Sequence, residues 1–158
     1  MRIFSSAAEL RASVGQRLGE SAWHTVSQRR ITEFAEVTED RQWIHLHAER
    51  AKEGMFGGTI AHGFLTVSLI PAQLRETMHV DGVDLVINKG MDRLRFHQPV
   101  PVGARVRAVF ELLTATERAL GFTDLQLGVT GEVEGKAEAA YTARMRMLLH
   151  APELATTA

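Results

Sequence analysis

From Arg105 to Leu112 the chain alternates, with Val106, Ala108, Phe110 and Leu112 on one side of an extended backbone and Arg105, Arg107 and Glu111 on the other. Side chains alternate across a strand, so this pattern predicts a strand with one buried and one wet face. The alternation returns in Leu125, Leu127 and Val129, and again in Tyr141, Ala143, Met145, Met147 and Leu149 opposite Thr142, Arg144 and Arg146. Weaker strands are predicted over 83–88 and 91–97, and an early one over 18–26.

Two stretches carry helical spacing. Ser27 offers an N-cap oxygen to a helix whose apolar residues Ile31, Phe34, Ala35 and Val37 recur every three or four positions and which ends near Thr38. From His62 to His79, Phe64, Leu65, Val67, Leu69, Ile70, Ala72, Leu74 and Met78 are spread around the helical circumference, which predicts a helix buried on nearly every side. Pro71 removes one internal hydrogen bond and bends it. Between the two helices, residues 39–58 are polar, with a short helical piece over 48–52, and Gly57 and Gly58 break the segment into a long loop. Long antiparallel strands with one polar face, following a buried helix, predict an α+β domain in which a curved sheet wraps that helix, the hot-dog plan. Such a sheet leaves an edge strand unpaired, so a homodimer is expected.

Composition narrows the setting. A chain of 158 residues fits one domain, expected over 1–151, with a loose tail over 152–158. A formal net charge of -1 gives no global reason to bind nucleic acid, and Trp23 and Trp43 are too isolated to form a stacking platform. Cysteine is absent, which excludes a disulfide framework and a thiolate nucleophile and suits a reducing compartment. Residues 1–10 lack the basic region and apolar run of a signal peptide, and the most apolar stretch, 64–74, is interrupted by Ser68, Pro71 and Gln73. A cytoplasmic protein without a membrane partner is the expectation.

Candidate chemistry sits between the helices. Asp40 and His45 place a carboxylate and an imidazole in one polar turn, although an Asx-turn aspartate and a hydrogen-bonded loop histidine explain the same residues. Ala61, His62 and Gly63 open the apolar helix where backbone N–H groups are unpaired, and the Gly63 N–H, with no side chain beside it, can polarise a carbonyl. A helix-start histidine and a packing glycine are the plainer readings of His62 and Gly63. His45 and His47, with His62 and Asp40, also suggest a metal cluster, but no Cys or Glu completes a ligand set and no metal is expected. The proline-flanked run 98–103 reads as an extended connection without chemistry.

Taken together, these residues resemble a known family. The run through Phe34, Ala35, Thr38, Glu39, Asp40 and His45, followed by Phe56, Gly57 and then Ile60, Ala61, His62 and Gly63, resembles the MaoC-like dehydratases, the (R)-specific enoyl-CoA hydratases. Gln42, Trp43, Ile44 and His45, with Ile87, Asn88, Lys89, Gly90, Arg95 and Phe96, are similar to its nodulation protein N-like branch. The likeness covers roughly 14–149. It implies a hot-dog homodimer that interconverts trans-2-enoyl-CoA and (R)-3-hydroxyacyl-CoA, with Asp40 and His45 as catalytic pair and Gly63 as oxyanion donor. His62, Ser68, Gln42 and Asn88 are the further substrate-binding candidates it implies; Ser68 bonding back to a helix carbonyl is an equal alternative. Many members have Asn-Pro where this chain has Gln42 and Trp43, so proline does not fix the loop here. No cofactor is implied, since coenzyme A enters as part of the substrate, and Lys89, Arg93 and Arg95 suit either its phosphates or a solvated sheet face. A thioesterase and a non-catalytic acyl-thioester binding subunit are the rival readings of the same fold.

Overall fold

A computed structural model gives the fold of residues 1–152; of the tail expected over 152–158, all but Pro152 lies outside the described residues. Three long antiparallel strands dominate: β6 (Arg105–Glu117), β7 (Phe122–Val133) and β8 (Tyr141–His150). Their predicted alternation is observed, with Val106, Ala108, Phe110, Leu112, Leu125, Leu127, Val129, Tyr141, Met145, Met147 and Leu149 all buried in one core. With β2 (Arg17–Glu20) and β5 (Leu85–Phe96) the sheet runs β2-β6-β7-β8-β5.

The weaker strand expectations needed correction. The early strand over 18–26 divides into β2 and β3 (His24–Thr25), both paired with β6. Between them the Ser21 hydroxyl takes the Ala108 N–H at 3.1 Å and donates to Ala22 O at 2.9 Å, so a side chain replaces part of the ladder. The two strands expected over 83–88 and 91–97 are one strand, β5, which keeps its pairing with β8 through bulges between Asn88 and Gly90 and between Asp92 and Arg95. Those bulges break the period-two pattern that marks a strand in sequence. At the chain start, β1 (Arg2–Phe4) and α1 (Ala7–Arg11) were not expected; β1 pairs in parallel with β4 (Met78–Val80).

Inside the curved sheet lies the apolar helix, in two pieces. α5 (Gly63–Ser68) meets α6 (Ile70–Thr77) at Leu69, and Pro71 stands in the first turn of α6, which accounts for the bend. The helix stops before His79 because the last positions join β4 instead. Nor is it buried all round: Leu65, Ile70 and Leu74 are buried, but Phe64 is 65% exposed. Among the described residues no helix is long and apolar enough to cross a membrane.

Candidate active site

Three backbone devices bring the site together. Helix α2 (Gln28–Thr38) starts where Ser27 Oγ accepts the Arg30 N–H and stops at Glu39, whose φ of 62° is left-handed and reverses the chain into Asp40. A single turn, α3 (Trp43–Leu46), then turns His45 inward, followed by α4 (Ala48–Lys52). Finally, residues 59–61 are laced onto the 98–103 connection, Ala61 N–H to Val100 O at 2.8 Å and Val102 N–H to Thr59 O at 2.9 Å, while Ile60 N–H reaches Ile44 O at 3.1 Å.

His45 and His62 are buried at 6% and 3% exposure, whereas the Asp40 side chain is 56% exposed. The His45 Nδ1–H donates to Ile60 O at 2.7 Å, since a carbonyl only accepts; in the neutral ring Nε2 therefore carries a free lone pair. His62 Nε2–H donates likewise to Asp40 O at 2.9 Å and lies 4.0 Å from the Asp40 carboxylate, leaving its buried Nδ1 without a partner among the described residues. The two imidazoles stack with centroids 3.7 Å apart, and Phe34 packs on His62 at 5.1 Å. One side-chain ligand atom from each of Asp40, His45 and His62 falls within 4.8 Å of the others. Two hydrogen bonds of about 2.8 Å from one water span such a gap. Burial holds the His45 imidazole below its ordinary pKa; the Ile60 carbonyl opposes this, His62 adds to it and Asp40 opposes it. The neutral form is thereby favoured.

One nitrogen of each ring is committed to a backbone carbonyl, which leaves one nitrogen per ring for the cluster.

Beside His45 opens a cleft of about 410 Å³, lined by Phe56, Ile60, Ala61, Gly63, Phe64, Thr66, Phe96 and the 97–100 stretch with Ala140. Gly63 N–H makes no hydrogen bond among the described residues, and the Thr66 hydroxyl donates to Gly63 O at 2.6 Å. Thus the 98–103 connection, read from sequence as free of chemistry, walls the cleft and anchors the segment that holds His45. Sequence reasoning also missed Gln28, whose amide donates to His45 O at 2.8 Å while accepting from Thr59 Oγ1 at 2.7 Å. Only the fold reveals it, because its partners are distant in sequence.

The remaining candidates scatter. Ser68 is exposed and its hydroxyl donates to Leu65 O at 2.7 Å, the bonding that suits a serine in a helix. Gln42 is exposed at the N-cap of α3 and makes no side-chain capping bond. Asn88 lines a different cavity, of about 320 Å³, with Pro71, Leu74, Met78 and Met147, so within one chain it does not join Asp40 and His45. Lys89 is paired with Asp124 at 2.7 Å, and Arg93 faces a groove on the outer side of the sheet.

Fold and site together describe a hot-dog domain with a carboxylate–imidazole pair beside an apolar cleft. Comparison with known proteins makes the class definite: residues 9–133 match the MaoC like domain, and the chain belongs to the MaoC-like dehydratase family. It is 45% identical over 143 residues to 3-hydroxyacyl-thioester dehydratase Z of Mycobacterium tuberculosis, covering 90% of this chain and 95% of that protein. Nodulation protein N of Rhizobium leguminosarum is 43% identical over 145 residues, 87% of each chain. Among solved structures, the unliganded R-hydratase PhaJ1 of Pseudomonas aeruginosa superposes with a TM-score of 0.68 at 29% identity, covering 94% of this chain and 86% of that one.

Proposed function

We propose that this chain is an (R)-specific hydratase that interconverts trans-2-enoyl and (R)-3-hydroxyacyl thioesters, using Asp40 and His45 and no cofactor. The observation that carries the reading is that one ligand atom each of Asp40 and His45 lie within 4.8 Å of one another, a gap one water can bridge, and that His45 Nδ1 is committed to Ile60 O, which leaves Nε2 as the acceptor. Such a water donates one hydrogen to each and turns a lone pair outward. Its oxygen bonds to the β-carbon, the π electrons move onto the thioester oxygen, and Asp40 takes a water proton. The Gly63 N–H, unpaired in the cleft, steadies the oxygen as charge develops. A proton from the acid–base pair then goes to the α-carbon, so one water is consumed and one C–O and one C–H bond form. Relatives named as a 3-hydroxyacyl-thioester dehydratase and an R-hydratase support both the reaction and its stereochemistry.

The working unit in this reading is a cytoplasmic homodimer. Among the described residues β5 ends the sheet without a partner on its outer edge, and Leu85, Val86, Ile87 and Phe64 are exposed large apolar residues. Crotonyl-CoA tests the activity: loss of enoyl absorbance reports hydration, and released thiol would report a thioesterase instead. Chiral analysis of the product must show the (R)-alcohol. Asp40→Asn and His45→Gln should each abolish most turnover while the protein remains folded; retention of near-native turnover in Asp40→Asn would end this assignment.

A further inference from the structure

The ring of Phe96 and the absent side chain of Gly63 occupy the same space. A Cβ built on Gly63 would lie 2.8 Å from two atoms of the Phe96 ring and 3.1 Å from a third, and these are the nearest heavy atoms to that point. Phe96 is therefore the side chain packed against the Gly63 α-carbon, next to its amide. Its position comes from the strand: the bulge between Asp92 and Arg95, with Arg93 at φ 52°, re-aims the end of β5 before Phe96 pairs with Tyr141. Two edge-on aromatic contacts bracket the ring, Phe64 at 5.9 Å and Tyr141 at 6.5 Å. Yet Phe96 is 46% exposed and lines the cleft, unlike the fully buried Phe110 of the core. An aromatic ring so fixed, facing open space beside a free amide, shapes what enters.

We propose that Phe96 is a specificity-determining residue, its ring forming the wall beside the thioester carbonyl and restricting the site to acyl thioesters unsubstituted at the α-carbon. The inference rests on the hydratase reading, because it takes the thioester oxygen to the Gly63 N–H. The α-carbon is then one bond from the polarised carbonyl carbon, and a methyl group on it is driven toward the ring. The ring is bracketed by Phe64 and Tyr141, so yielding to that methyl means moving it against one of them. The exclusion is steric, so it acts without any polar group.

The test compares crotonyl-CoA with trans-2-methylbut-2-enoyl-CoA in the full chain, its Phe96→Ala and Phe96→Leu variants. Intrinsic reactivity cancels when the ratio of kcat/KM for the two substrates is compared between variants. Removing the wall should raise the relative use of the methyl-branched substrate about 10-fold or more in Phe96→Ala, and less in Phe96→Leu, on the usual scale for one methyl group in a pocket. Calorimetric Kd values for both thioesters in an Asp40→Asn background, with and without Phe96→Ala, give a second readout that needs no turnover. Hydration by the wild type with neither ratio moving beyond about twofold in cooperatively melting variants overturns the inference alone. Absence of hydration, with the binding ratio shifting toward the branched thioester in Phe96→Ala, removes the catalytic reading and leaves the wall in place. Failure to bind either thioester removes both.

Discussion

The three-stranded centre of the sheet and the segment from Asp40 to Gly63 bury side chains in opposite ways. In β7 and β8, and in β6 as far as Leu112, every second residue is buried, most of them in a shared apolar core where many similar contacts make each side chain one contributor among several. Around the site the buried His45 and His62 and the half-buried Gln28 are each tied to a backbone carbonyl: His45 to Ile60, His62 to Asp40, Gln28 to His45. Packing tolerates exchange among apolar residues of similar volume, whereas a single directed hydrogen bond has no substitute. Stability is thus distributed through the sheet and the candidate chemistry is concentrated in the loop.

That contrast can be broken most sharply at Asp40. Asp40→Asn should lower kcat about 10²- to 10⁴-fold, the usual contribution of a general acid–base group, while its exposure leaves the denaturant midpoint nearly unchanged. The mirror image is Phe110→Ala in the sheet, where a fully buried ring is lost; unfolding in urea should show a stability loss of about 3–5 kcal/mol. Gly63→Ala falls between the two regions, because its methyl would meet the Phe96 ring at 2.8 Å. It should lose melting temperature, and adding Phe96→Ala should restore part of that loss; no restoration would mean that the two residues are not in contact. His62→Phe keeps a ring against His45 but cannot donate to Asp40 O, so turnover should fall about 10- to 100-fold through misplacement of the carboxylate.

The smallest effects concern pH and the serine. His45 has its folded pKa depressed mainly by burial, so the folded state favours the neutral ring. Its contribution to stability is fully present above the unfolded value of about 6.5 and is lost as pH falls through the folded pKa. If neutral His45 is needed, the acid limb of the kcat/KM profile should lie below about 6.5, and a limb above it would contradict this assignment. Ser68→Ala should change stability by no more than about 0.5 kcal/mol and leave turnover within twofold, because the hydroxyl is bonded to its own helix.

Much of this arrangement is legible in the sequence. Strict alternation in Val106 to Leu112 and Tyr141 to Leu149 marks strands because one face must be dry along the whole length. The irregular strand β5 was read as two, since its bulges shift the phase of the side chains, and β1 is too short to carry any periodicity. In the site, Asp40, His45 and Gly63 stood out by residue type and by a family likeness. Nothing in the sequence paired Gln28 with the His45 carbonyl or set Phe96 against Gly63, and Asn88 was grouped with the pair although it lines another cavity.

Local rules act over a few residues, and on their own they determined the alternation in β6, β7 and β8, the cap at Ser27 and the bend at Pro71. Which histidine nitrogen is free, which ring walls which amide, and how close a carboxylate stands to an imidazole depend on contacts between residues far apart in the chain. Those were decided only when the curved sheet closed over the helix, because distance and hydrogen-bond direction in three dimensions have no signature in spacing along the sequence.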